Sequence, residues 1–74
     1  MQFQLPDDTI VVGNSYAAIV QRMNDQKMTP AAHQSTYRKA VARRAREMYG
    51  AAIDDSSDRA LVLSMQSVGL IRRV

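Results

Sequence analysis

Few side chains in this sequence have the type and spacing that chemistry requires, and each can be tested against what its chemistry demands. His33 is the only histidine, and cysteine is absent. A zinc or catalytic centre needs several His, Cys or carboxylate groups at workable spacing. None accompanies His33 along the chain, so it reads as a surface or core-edge residue. Asp54, Asp55 and Asp58 form the one acidic cluster. A calcium loop of the EF-hand type alternates its ligands around a mid-loop glycine and closes on a glutamate. Both are missing after these aspartates. Helix capping accounts for all three: Asp55 with Asp58 three residues on forms a capping box built from aspartates. Their negative charge also suits the positive end of a helix dipole.

Nucleophilic chemistry has no better footing. A serine needs a base and an orienting group, and a single histidine without a glycine-rich elbow singles out no serine. Gly13-Asn14-Ser15 could hold an anion on the free amides that open a helix, but a single glycine is a weak signal for that, and an ordinary N-cap is the better reading. Tyr16 and Tyr37 fall on apolar stripes and read as core, whereas Tyr49 reads as part-exposed. With Phe3 the only strand aromatic, a sheet that stacks several bases is not expected. No catalytic, cofactor-binding or metal residue is assigned, and the chain is expected not to be an enzyme.

One charged constellation remains. The stretch Thr29 to Gly50 reads as the longest helix. Thr29 is placed as its N-cap, Pro30 at the first helical position and Gly50 just past the end. Tyr37, Val41, Ala45 and Met48 recur at helical spacing and share one face. Lys39, Arg43 and Arg46 fall roughly opposite, Arg44 lies toward the border, and the Arg38 stem can lie along the core edge. Five basic residues against Glu47 alone concentrate the chain's net charge of +3 on this one helix. An exposed single-sign stripe is an electrostatic footprint that does not itself name its partner. The expected partner-binding residues are therefore Lys39, Arg43, Arg44 and Arg46.

These residues need a scaffold. Met1, Phe3 and Leu5 alternate with Gln2 and Gln4, the period of a half-buried strand. Pro6-Asp7-Asp8-Thr9 is turn chemistry, and Ile10-Val11-Val12 reads as the return strand of a hairpin, ended by Gly13. Asn14 or Ser15 caps the next helix, with Tyr16, Ile19, Val20 and Met23 as its apolar stripe. Arg22, Asn24 and Asp25 point elsewhere. That helix ends near Asp25, and Gln26-Lys27-Met28 leads into the basic helix. Ile53 anchors the following link. A third helix carries Leu61, Val62, Met65 and Val68 inward, is closed by Gly69, and has Leu70 folding back on its last turn. Ile71-Arg72-Arg73-Val74 is placed as a short strand beside the hairpin. The expected architecture is α+β: an N-terminal β-hairpin, three helices and a short C-terminal strand completing a small sheet.

The run Leu61 to Val74, LVLSMQSVGLIRRV, resembles the end of a winged-helix domain, where a recognition helix enters a strand through a Gly-Leu-Ile type of junction. The resemblance covers fourteen of the 74 residues and implies DNA binding. Arg59 is the only basic residue on the helix concerned, so the residues do not assign the chain to that family.

Composition sets the remaining bounds. A chain of 74 residues makes one domain, and one this short buries only about 60% of its unfolded surface. Without cysteine nothing staples that core. Stability drawn from a partner or a second copy is compatible with this, so a homo-oligomer stays open. The opening MQFQLPDD has no signal-peptide pattern, and the longest apolar run, Tyr16 to Val20, is far short of a membrane span. The chain reads as soluble and cytoplasmic, with no membrane partner. The function expected from these features is a small non-enzymatic adaptor or inhibitor docking an acidic protein surface through the basic face. Nucleic-acid binding through the same face is the alternative.

Overall fold

A computed structural model describes residues 1–74. The elements follow in the order β1 (Gln2–Gln4), β2 (Ile10–Val12), α1 (Tyr16–Asp25), α2 (Gln34–Tyr49), α3 (Asp58–Ser67) and β3 (Arg72–Arg73). The three strands form one antiparallel sheet in the order β2-β1-β3. Phe3 of β1 stands opposite Val11 on one side and Arg73 on the other. The α+β architecture expected from the pattern of residues is the one observed, including the C-terminal strand.

The hairpin turn is built by its aspartates. Asp7 accepts the Thr9 amide at 3.0 Å, and Asp8 takes the left-handed conformation, φ 70°, that Asp tolerates better than most residues. Hydrogen bonding from the Thr9 side chain first, and from its amide with it, holds the Asp7 carboxyl below its usual value. At the far end of β2, Gly13 is buried beneath the first turn of α1. A Cβ there would stand 2.9 Å from the Ala18 Cβ, so glycine is what lets helix and strand approach this closely.

One core joins five of the six elements, and Ile71, just before the exposed β3, completes it. Phe3, Val11, Ile19, Val20, Met23, Tyr37, Leu61, Val62, Met65 and Ile71 form a single buried cluster, with Ile53 and Leu70 packed at its edge. The inner sheet face and the inward stripes of the three helices therefore share one interior, as the alternation and the helical spacing require. Two expected core positions lie outside it. Met48 and Val68 are 64% and 46% exposed. Both sit at the ends of their helices, beyond the layer that the short sheet and its neighbours can cover.

The helix limits agree at three places and differ at two. Ser15 caps α1 by accepting the Ala18 amide at 3.1 Å. Gly50 closes α2 with φ 64° and Gly69 closes α3 with φ 81°. Past Gly69 the Leu70 amide donates to Met65 O at 2.9 Å and the Gly69 amide to Gln66 O at 3.1 Å, a Schellman closure with Leu70 folded back. Thr29 and Pro30, however, do not start α2. It begins at Gln34, with His33 at the N-cap position and no side-chain capping bond. The cause is Asn24, a buried residue that the α1 pattern placed outside the core. Its Nδ2 donates to Ala31 O at 2.9 Å and its Oδ1 accepts the Ala31 amide at 3.0 Å. That double bond holds the connector extended through Ala31. Satisfying two buried amide groups outweighs the local preference of Thr-Pro for a helix start.

The second difference is at α3. Its N-cap is Ser57, whose Oγ accepts the Ala60 amide at 3.0 Å, and not Asp55. The Asp58 carboxylate turns away from its own helix end to meet α2. Asp54 makes a local turn by accepting the Ser56 amide at 3.0 Å, and hydrogen bonding from the Ser56 side chain first, with this amide second, holds its carboxyl below the usual value.

Candidate functional site

The surface with the most to offer a partner is built on α2, whose two halves are held differently. In the first half Tyr37 is buried, and burial pushes its phenol above the ordinary value while the Arg44 charge pulls the other way. Arg38 beside it reaches the start of α3. Its Nη1 stands 2.7 Å from Asp58 Oδ1, and its Nε donates to Asp55 O at 3.0 Å. Gln34 donates to the other Asp58 oxygen at 2.9 Å and to Ala17 O at 3.3 Å. The Arg38–Asp58 pair is the one salt bridge of the chain. Sequence placed the Arg38 stem at the core edge, which agrees with its half-buried position, but did not supply its partner.

The other cations of α2 have no such role. Lys39, Arg43, Arg44 and Arg46 are all exposed, and none forms a salt bridge or a side-chain hydrogen bond within the chain. Lys39 and Arg43, four residues apart, and Arg46 three further on lie on one helical face, with Glu47 the only acidic residue of α2. The helix continues past its last buried residue, Ala45, and Arg46 to Tyr49 are all exposed.

Across the helix from this face, on the side of Tyr37, Val41 and Met48, lies a groove that the sequence did not indicate. Its cavity is about 300 Å³ and is lined mainly by apolar side chains from four places in the chain. Pro6 comes from the hairpin turn, Lys27 from the connector, Met65 and Leu70 from the end of α3, and Tyr37, Val41 and Met48 from α2. Arg44 lies on its rim, which places that residue nearer the groove than the stripe of Lys39, Arg43 and Arg46. Lys27 is the other cation of the rim, with its Nζ 5.6 Å from the Tyr37 ring centroid, within the range of a cation–π contact. Met48 and Tyr49, 64% and 59% exposed, stand along the groove. Helical spacing marked Met48 as apolar, but nothing in the sequence could bring it to Leu70 and Pro6.

The other residues considered for chemistry remain apart. His33 is exposed at the start of α2, and no group of three or more His, Asp or Glu side chains converges anywhere in the fold. Asp54, Asp55 and Asp58 serve the loop and the α2–α3 junction as described. Tyr16 is half-buried and Tyr49 exposed. The Gly-Leu-Ile junction does carry α3 toward a strand, yet that strand pairs with β1 of the N-terminal hairpin. No helix is long and apolar enough to cross a membrane. Comparison with known protein families, with characterised proteins and with solved structures gives no match for this chain.

Proposed function

We propose that this chain is a small non-enzymatic binding module, an adaptor or inhibitor that docks an acidic surface of a larger protein through Lys39, Arg43, Arg44 and Arg46. The observation that carries this reading is the division of labour among the α2 cations. Arg38 is tied into the fold by Asp58, whereas the other four are exposed and unpaired. Like charges at helical spacing repel one another, so a stripe of this kind is a standing cost that an acidic partner relieves. A reducing compartment such as the cytoplasm suits a chain without cysteine.

Nucleic acid is the second reading, because phosphates would meet the same four side chains. Salt separates the two. Neutralising three phosphates on duplex DNA gives a slope of about −2.7 in log K against log salt, a loss of roughly fortyfold between 50 and 200 mM. A protein partner adds apolar anchors that salt does not weaken. The test is binding of the purified chain to mixed DNA and RNA at 150 mM salt, beside capture of protein partners with and without nuclease. Both are repeated with Lys39, Arg43 and Arg46 changed to Gln. Protein capture that survives nuclease and is lost in the triple variant is the expected result. Micromolar or tighter nucleic-acid binding lost in the variant would reverse the ranking. Capture unchanged by the triple variant would remove the basic face from both.

A further inference from the structure

We propose that the groove across α2 from the basic face is a docking site of its own, and that it takes one large apolar side chain presented by an acidic segment of a protein partner. It lies on the side of the helix turned away from Lys39, Arg43 and Arg46, so it stands independently of the reading of that face. The floor is apolar, with Met65 and Leu70 on one side and Tyr37 and Met48 on the other. The only charged residues lining it are Lys27 and Arg44. A ligand that is apolar at its tip and anionic at its base is the complement of that arrangement.

Size favours a side chain over a free small molecule. A volume of about 300 Å³ lies at the bottom of the range for small-molecule sites and suits a single leucine, phenylalanine or tryptophan. The lining favours a protein too. Exposed tyrosine, arginine and methionine are the residues that carry binding energy or adapt to varied partners at protein interfaces. Here Tyr49, Arg44 and Met48 stand together at the end of one helix. A second copy of this chain would bring the same net charge of +3 against a cationic rim, so the occupant is an acidic partner. Arg44 and Lys27 line the groove itself, which places the carboxylates of that partner directly beside the buried anchor.

The test selects peptides from a displayed random library of sixteen-residue sequences against the folded full chain at 150 mM salt. The selected peptides should share an apolar residue flanked by Asp or Glu. Met48→Glu, a change at an exposed position, should weaken their binding at least tenfold and leave the thermal melt in place. Arg44→Glu should do the same, and Met48→Gln should have a smaller effect in the same direction. The methyl signals of Met48 and Met65 should shift on titration with a selected peptide. The variant with Gln at positions 39, 43 and 46 keeps the groove intact and separates the two ideas. Binding kept by Met48→Glu but lost in that triple variant overturns the groove while the basic face stands. Binding lost in Met48→Glu but kept by the triple variant supports the groove and removes Lys39, Arg43 and Arg46 from the site. Selected peptides without acidic residues would overturn the proposal. So would a dimer in sedimentation that Met48→Glu dissociates, or methionine shifts produced by anionic phosphatidylserine vesicles and not by peptide.

Discussion

The two halves of α2 contain the same kinds of residue put to opposite uses. At its N-terminal end an arginine, a glutamine and a tyrosine are all tied to neighbouring elements: Arg38 and Gln34 to Asp58, and Tyr37 to the core. At its C-terminal end arginines, a methionine and a tyrosine are left facing water. Facing explains the difference. Arg38 lies on the side of α2 that meets Asp58 at the start of α3, whereas Lys39, Arg43 and Arg46 fall on the side turned away from Tyr37 and Ala45, the buried residues of this helix. What a side chain does here is decided by what lies opposite it, and only then by its type.

Changes that break this asymmetry should differ in size in the same way. The largest effect is expected from Tyr37→Ala, which empties a buried site and should cost about 3–5 kcal/mol, enough to unfold much of so small a domain. Tyr49→Ala, the same change on the exposed half, should stay within about 0.5 kcal/mol in the same denaturant titration. Tyr37→Phe sharpens the point. Burial raises the Tyr37 phenol, so its contribution is complete below about pH 10 and is lost as the pH climbs through the raised value. The Phe variant should lose less stability in alkaline melts than the parent.

Next comes the clamp between α2 and α3. Arg38→Ala should cost about 1–2 kcal/mol, because Asp58 is left part-buried without its cation. A double-mutant cycle with Asp58→Ala should return a coupling of about 1 kcal/mol, and a coupling near zero would mean that the pair does not hold the helices together. Ser57→Ala should cost about 1 kcal/mol as a lost N-cap. Asp55→Ala should cost less than half as much, because Asp55 lends Arg38 only its backbone carbonyl. The smallest effect is expected at the stripe. Changing Lys39, Arg43 and Arg46 to Gln should leave stability within about 0.5 kcal/mol or raise it slightly by relieving repulsion. Added salt should then raise the melting temperature of the parent more than that of the variant.

Much of this asymmetry could be anticipated, and its failures share a cause. The hairpin was legible because Phe3 and Val11 obey a two-residue period on one face. The ends of the helices were legible where a local residue decides them, as Ser15, Gly50 and Gly69 do. The exposure of Lys39, Arg43 and Arg46 followed from the helical period alone. What escaped was set by residues distant in sequence. Asn24 reaches the backbone of Ala31 and delays the start of α2 past Thr29 and Pro30. Asp58 turns toward Arg38 and leaves Ser57 as the cap. The groove needs Pro6, Met48 and Leu70 to meet, and no local pattern brings a hairpin turn to two helix ends.

The place of β1 in the sheet also governs the order in which the protein assembles in time. Phe3 pairs with Val11 through a tight turn and with Arg73 through almost the whole chain. The hairpin can close within about 1–10 μs, while β3 has to wait until three helices have packed and carried it round. Ordering long closures late is the general rule when loop entropy is lost before distant contacts are gained. During synthesis the central strand therefore keeps one edge open until Arg72 and Arg73 emerge, with Gln2 and Gln4 offering their backbone groups to any extended chain nearby. Arrival of β3 is the event that closes that edge, so a chain stalled before Arg72 is the species most prone to pair with its neighbours.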